Sequence, residues 1–236
     1  MARSRALHPL FLLVALVLLP CVRGRAQEVS AAPGKFDYYL LNLSWSPEFC
    51  HNVEVLPLSE RAGKRQQRLQ DAASECGTPH GFVLHGMWPQ NFSGTWPANC
   101  GTAPGPASYT PYLKDTPSLI LLHHEWTKHG TCSGLAADAF FTTADRAFES
   151  VKTPPQLQNV TQTLQLKPSD ILDAFYKANP GFPQGSLALS CGRNYLTAIE
   201  VCLNKNTLKP IACQNIATCG ATVVKVAPES SPAQLR

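Results

Sequence analysis

Residues 123–132, HHEWTKHGTC, place three histidines, a glutamate and a lysine within seven positions. On a helix turning about 100° per residue, His124, Lys128, Glu125 and His129 share one arc of about 140°. Trp126 points away from that arc, toward a core. Imidazole, carboxylate and ammonium on one face can move protons and hold an anion. Acid–base chemistry on a phosphate needs a base, an acid, and cations or donors around the phosphoryl oxygens. Histidine is the group whose proton exchanges near neutral pH. A zinc helix would need HExxH, two histidines four apart. Here His124 and His129 are five apart, and the residue four after His124 is Lys128, whose cation opposes a metal. The expectation is no metal and no cofactor.

One proton-transfer partner is missing from that helix. The segment HGFVLHGMWP, residues 80–89, supplies it. His85 ends an apolar strand beside Gly86. A lone histidine there would simply cap a strand. Facing a helix that carries two more, it completes a two-histidine acid–base site, and Trp88 offers a ring on which a nucleobase can stack.

The elements that must position these groups are mixed and irregular. FDYYLLNLSW, residues 36–45, is aromatic and branched-apolar and predicts a strand ended by Ser46-Pro47. Gly81 to Trp88 predicts a second, broken at Pro89. Leu196 to Leu203 alternates in the strand manner, and Thr222 to Val226 gives a last strand. Helices are expected over Leu119–Thr131, over Ala136–Val151 before Pro154-Pro155, and over Asp170–Ala178 with Ser169 as cap. Residues 93–111 form a Pro- and Gly-rich ordered loop stapled by Cys100. Arg61, Lys64, Arg65 and Arg68 lie on one helical face, either a solvated face or a docking surface for a polyanion. No regular βαβ rhythm, glycine-rich phosphate loop or internal repeat occurs. The pattern is that of one α+β domain over residues 27–226, followed by a frayed tail over 227–236.

The first 26 residues stand apart. Two arginines precede the apolar run Leu10–Leu19, and Gly24-Arg25-Ala26 provides a cleavage site, so 1–26 is a secretory signal peptide. The run is shorter than the ~20 apolar residues that span a bilayer, and no later segment is long and apolar enough to do so. The whole chain carries 20 basic and 16 acidic residues. Four of the arginines fall in the leader and no acid does, so the remainder is balanced and overall charge is no argument for a nucleic-acid partner. Eight of the nine cysteines lie beyond the leader, an even count that in an exported chain predicts four disulfides. Composition leaves their pairing open. Sequons occur at Asn42, Asn91 and Asn159. Asn42, inside a strand, is a poor acceptor if that strand is paired.

FVLHGMWPQ and HHEWTKHGTC, in this order, resemble the two active-site segments of the ribonuclease T2 family, and LSWSPEFC (43–50) resembles its amino-terminal strand and turn. The spacing of Cys191, Cys202, Cys213 and Cys219 is similar too, so the resemblance runs from about Phe36 to Cys219. It implies an α+β fold with a mainly antiparallel sheet flanked by helices. It implies a metal-independent, exported endoribonuclease acting on single-stranded RNA, monomeric and bound to no membrane. His85 matches the general acid and His129 the general base. Glu125 and Lys128 match the pair that stabilises the pentacovalent state, His124 the phosphate-binding histidine, and Trp88 an aromatic of the base pocket. The implied bridges are Cys50–Cys76, Cys100–Cys132, Cys191–Cys219 and Cys202–Cys213. Where some members carry an aspartate that reads adenine, this chain has Gln90, followed by Asn91. An amide both donates and accepts and discriminates less sharply, so base preference stays open. The rival readings are a non-catalytic binding protein on the same scaffold and a phosphoesterase for small nucleotides. The first would usually have lost one of His85, Glu125, Lys128 or His129, and all are present.

Overall fold

The computed structural model describes residues 27–54, 66, 70 and 73–229. The predicted leader, the basic residues Arg61, Lys64, Arg65 and Arg68, and positions 230–236 lie outside the described residues.

The sheet is built around two long apolar strands. β2 (Tyr38–Trp45) pairs antiparallel with β3 (Phe82–Gln90) on one side and with β7 (Tyr195–Asn204) on the other. β6 (Leu187–Gly192) pairs antiparallel with β7, β8 (Val224–Val226) joins the start of β7 in parallel, and β5 (Leu164–Leu166) closes onto β8. A separate parallel pair joins β1 (Gln27–Val29) to β4 (Thr95–Pro97). The expected α+β class with a mainly antiparallel sheet is the observed one.

Side chains alternate across a strand, so β2 serves two faces. Tyr39, Leu41, Leu43 and Trp45 enter the main core, while Tyr38 and Leu40 belong to a smaller cluster on the other face with Cys202. Helices cover the first face. Helix α3 (Ala137–Glu149) buries Ala137, Phe140, Phe141, Ala144 and Ala147, the stripe of an amphipathic helix. Helix α4 (Pro168–Ala178) buries Ile171 and Phe175.

Several boundaries differ from the sequence-based expectation, each for a local reason. β3 runs through Pro89 because it is the edge of its sheet, where a missing N–H breaks no ladder. Ser46-Pro47 ends β2 at Trp45 as expected, and it also starts helix α1 (Ser46–Glu54), with proline in the first turn. Pro168 likewise opens α4, so the cap position is Lys167 and not Ser169. The expected helix to Thr131 is α2 (Leu119–Lys128), followed by a 3₁₀ turn at Gly130–Cys132. Residues 227–229, expected in a frayed tail, are held against the domain. Ala227 is buried and its carbonyl accepts from Trp45 Nε1 at 2.9 Å, and Glu229 N donates to Val160 O at 2.7 Å.

Candidate active site

A break in strand pairing aims the first histidine. Along β2 and β3, Asn42 faces Gly86 and Leu43 faces Leu84, which leaves His85 as an extra residue in β3. In a regular strand His85 and Trp88, three apart, would point to opposite faces. The bulge resets the alternation. His85, Trp88 and Gln90 therefore all line one cavity of about 470 Å³. The His85 and Trp88 rings meet edge to face at 5.5 Å, and the other ring contact of Trp88 is a stack on His129 at 5.3 Å.

Helix α2 delivers the remaining groups. Ser118 caps it, its side chain accepting from Leu121 N at 3.1 Å. The buried positions are Leu122, Glu125 and Trp126, spaced as a core stripe, so a carboxylate occupies a core-facing site. Trp126 is buried as expected and its Nε1 donates to Ala103 O at 2.8 Å. His129 is not inside the helix but at its C-cap, with its N–H still bonded to Glu125 O. His124 and Lys128, exposed and half-buried respectively, line the same cavity. His123 lies outside it against Tyr109, ring centroids 4.2 Å apart.

Glu125 is the centre of the arrangement. Trp88 Nε1 donates to its Oε2 at 2.7 Å, and its Oε1 lies 3.7 Å from His85 Nε2. The pair fits because residue 86 is glycine. A Cβ there would collide with Glu125 Oε2 and lie 2.6 Å from Trp88 Nε1. Glu125 Oε1 and His129 Nδ1 are buried without a hydrogen-bond partner. Buried polar atoms elsewhere also lack partners, but these two face one cavity together, where a substrate group can reach both.

Electrostatics separate the groups. Burial pushes the Glu125 carboxyl up to about 8, against the opposing pull of the Trp88 N–H and the Lys128 cation. Burial, aided by Lys128, His124 and His85, pushes His129 down to about 3, so its ring is neutral even in acid. Desolvation and the neighbouring His124 also lower His85. Its side chain is 40% exposed at the cavity mouth, and solvent moderates that effect. Glu125 and His85 thus form a coupled pair with one proton to share.

His124, Glu125 and His129 offer donor atoms all within 4.8 Å of one another, the one such group of potential metal ligands among the described residues. Lys128 lines the same cavity and its cation opposes a metal there.

Gln90 is buried and lines the cavity. Asn91 is not brought into it, because its Nδ2 is spent on Thr95 Oγ1 at 2.9 Å in the turn that follows. Trp88 differs from the expected stacking platform in that its N–H is engaged by Glu125 and its ring by His129. Sequence reasoning missed Leu40, Trp96, Ser190, Glu200 and the stretch Asn215–Ala217, which complete the wall. Glu200 left a signal, a lone acid inside the apolar strand LTAIEVCL.

Disulfides hold the two walls. Cys100–Cys132 ties the loop after β4 to the turn after α2, beside a bond from Asn99 N to Lys128 O. Cys202–Cys213 and Cys191–Cys219 bracket the segment that carries Asn215, Ile216 and Ala217. Cys50–Cys76 anchors α1.

The ribonuclease T2 family model matches residues 36–213. A ribonuclease of Aeromonas hydrophila is 32% identical over 208 residues, covering 86% of this chain and 87% of its own. Ribonuclease DdI of Dictyostelium discoideum is 25% identical, covering 87% and 92% respectively. Among solved structures, an RNase-related protein from Calystegia sepium superposes with a TM-score of 0.62 at 23% identity, over 82% of this chain and 97% of its own. The family match spans both histidine-bearing segments and most of the sheet beneath them, and the chain belongs to the ribonuclease T2 family as an RNA endonuclease of that type.

Proposed function

We propose that the chain is an exported enzyme that cleaves single-stranded RNA by transesterification, with His129 as base and His85 as acid. His129, neutral because it is buried, with the Lys128 cation nearby, takes the proton of a ribose 2′-hydroxyl. The freed oxygen attacks the adjacent phosphorus. The Glu125–His85 pair holds one proton, and the arriving phosphate draws it onto the imidazole. His85 gives that proton to the departing 5′-oxygen as the P–O bond breaks. Lys128 and His124 neutralise the phosphoryl oxygens of the crowded intermediate, and Glu125 fixes His85 and balances its charge. The product ends are a 2′,3′-cyclic phosphate and a 5′-hydroxyl. In a second step the roles reverse. His85 takes a proton from water, the water oxygen attacks phosphorus, and His129 protonates the leaving 2′-oxygen to give a 3′-phosphate. The nucleophile belongs to the substrate, so DNA is inert. Four disulfides suit an oxidising compartment. No helix among the described residues is long and apolar enough to cross a membrane.

The observation that supports this reading is the contact of two histidines with the Trp88 ring, one edge-on and one stacked, with a buried carboxyl bonded to that same ring. A digest of a defined RNA oligomer at pH 5 with EDTA present, read by mass, tests it. Fragments ending in 2′,3′-cyclic phosphate are expected. Intact RNA from folded protein, or cleavage abolished by EDTA, would refute it.

A further inference from the structure

The sheet that lines the cavity carries, two strands from Gly86, a second buried carboxylate that the cleavage step does not use. Glu200 on β7 is 8% exposed and lines the cavity. Asn42 Nδ2 donates to its Oε1 at 3.2 Å and Ser190 Oγ to the same oxygen at 3.1 Å. Both donors act on Oε1, so Oε2 keeps its lone-pair sites. Asn42 sits in β2 between Gly86 of β3 and Glu200 of β7 in the sheet register. Gly86 lies directly beneath Glu125. Glu200 is therefore two strand spacings, roughly 10 Å, from the floor of the acid–base site. That is about the reach from a nucleotide's phosphate to the far edge of its base.

We infer that Glu200, braced by Asn42 and Ser190, is the base-reading group of this cavity and that the base it selects is guanine. The inference rests on the cleavage reading above for the placement of the phosphate. The argument is one of complementary edges. Guanine presents two adjacent donors, N1–H and N2–H, to a carboxylate oxygen that accepts no hydrogen bond from the described residues. Adenine and cytosine set an acceptor nitrogen beside their amino group, and uracil flanks its one N–H with two carbonyls. Each would press an acceptor against the carboxylate, which rejects as effectively as a good contact attracts. Gln90, buried on β3 two strands away and lining the same cavity, has an amide N–H for the guanine O6. Leu40 and Ile216 supply apolar walls, and the segment carrying Ile216 is held between the Cys202–Cys213 and Cys191–Cys219 bridges. Burial pushes the Glu200 carboxyl up while its two donors pull it back, so the test is run at pH 7.

The experiment is equilibrium binding of guanosine and adenosine monophosphates, as 3′ and 5′ isomers, to the full disulfide-bonded chain, followed by cleavage of chimeric oligomers with one ribonucleotide. Guanine should bind tighter than adenine in one isomer series by about 5- to 150-fold, the discrimination a good bidentate contact gives. Glu200→Gln should bring the guanine-to-adenine ratio close to one, and Ser190→Ala should lower it part of the way. The Ser190 variant decides the matter if the Glu200 variant does not fold. Equal binding of the two bases by the wild type, or a ratio untouched by both variants, would overturn the assignment. Guanine-selective binding without any cleavage would leave this site standing and sink the nuclease reading. Cleavage with no base selectivity in either assay would do the reverse.

Discussion

Replacing Gly86 by alanine should leave the fold and remove the activity. A Cβ at this position would lie 2.6 Å from the Glu125 carboxyl carbon, where ordinary contacts begin near 3.4 Å. The carboxyl must therefore retreat by nearly 1 Å, and Oε2, which the methyl strikes first, by more. The struck atoms are the far end of a flexible glutamate and the edge of an indole, not backbone, so the sheet need not move. The Trp88–Glu125 bond of 2.7 Å cannot survive the retreat. Losing that donor raises the carboxyl further and shifts the proton shared with His85. A misplacement of about 1 Å in a catalytic group costs on the order of 100-fold, or about 2.7 kcal/mol of activation free energy. Single-turnover cleavage of an oligomer with one ribonucleotide gives the rate, while thermal melting and a thiol count report the fold. A folded Gly86→Ala chain with a rate within threefold of wild type would show that the position of Glu125 does not matter to the reaction.

The other tests address the remaining parts of the site. His85→Ala and His129→Ala should each lose most activity, on the order of 10²–10⁴-fold for a proton-transfer group, with unchanged melting; normal turnover by either refutes its role. The pH–rate profile should be a broad bell, falling on the acid side as His129 is protonated near 3 and on the alkaline side as the Glu125–His85 pair loses its proton near 8. A flat profile from pH 4 to 9 counts against the scheme. Glu125→Gln should gain melting temperature relative to wild type as pH rises from 5 to 8. The folded carboxyl, raised from 4.5 to about 8, holds a proton that the unfolded chain has released across that window, so wild-type stability falls there with rising pH. A difference in melting temperature that does not grow with pH would show that Glu125 is not buried in this way. Replacing Cys100 and Cys132 by serine opens a 32-residue span and should cost about 3.7 kcal/mol by loop entropy, read as a fall in denaturant midpoint.

How much of this was legible in the sequence depended on period and on neighbours. β2, β7 and α3 announce themselves because apolar spacing alone decides which face they bury. The grouping of His124, Glu125 and Lys128 followed from helical geometry, and His129 kept its place although the helix ends one residue earlier, because its N–H still closes the last turn. The bulge at His85 left no such trace. It depends on which residue of β2 faces which of β3, a tertiary fact. The short strands β1, β4 and β5 have three residues each and no period to detect. β6 was missed although LALSCG is apolar at its start, since its pairing to β7 is what makes it a strand. The disulfide pairing needed the family resemblance, because spacing leaves 105 arrangements for eight cysteines. Glu200 carries only a weak signal in the sequence, a lone acid in an apolar strand, and it is the convergence of Asn42 and Ser190 on it that gives it a role.

The site is arranged against stability, and the covalent bridges answer that. Glu125 Oε1 and His129 Nδ1 are buried without partners, and each such atom costs about 1–3 kcal/mol of desolvation. An Asn42–Glu200 pair beneath the same cavity adds a further buried carboxylate. None of these groups is held by the apolar contacts that fix the opposite face of the sheet, where Leu41, Leu43 and Trp45 pack. Three of the four disulfides tie down segments that carry or flank residues of this cavity, and the fourth anchors α1. A loop closed by a bridge constrains the unfolded chain whether or not the native wall packs well. Cross-links placed there let the wall stay polar and hollow enough for a nucleotide, while hydrophobic burial fixes the sheet on its other side.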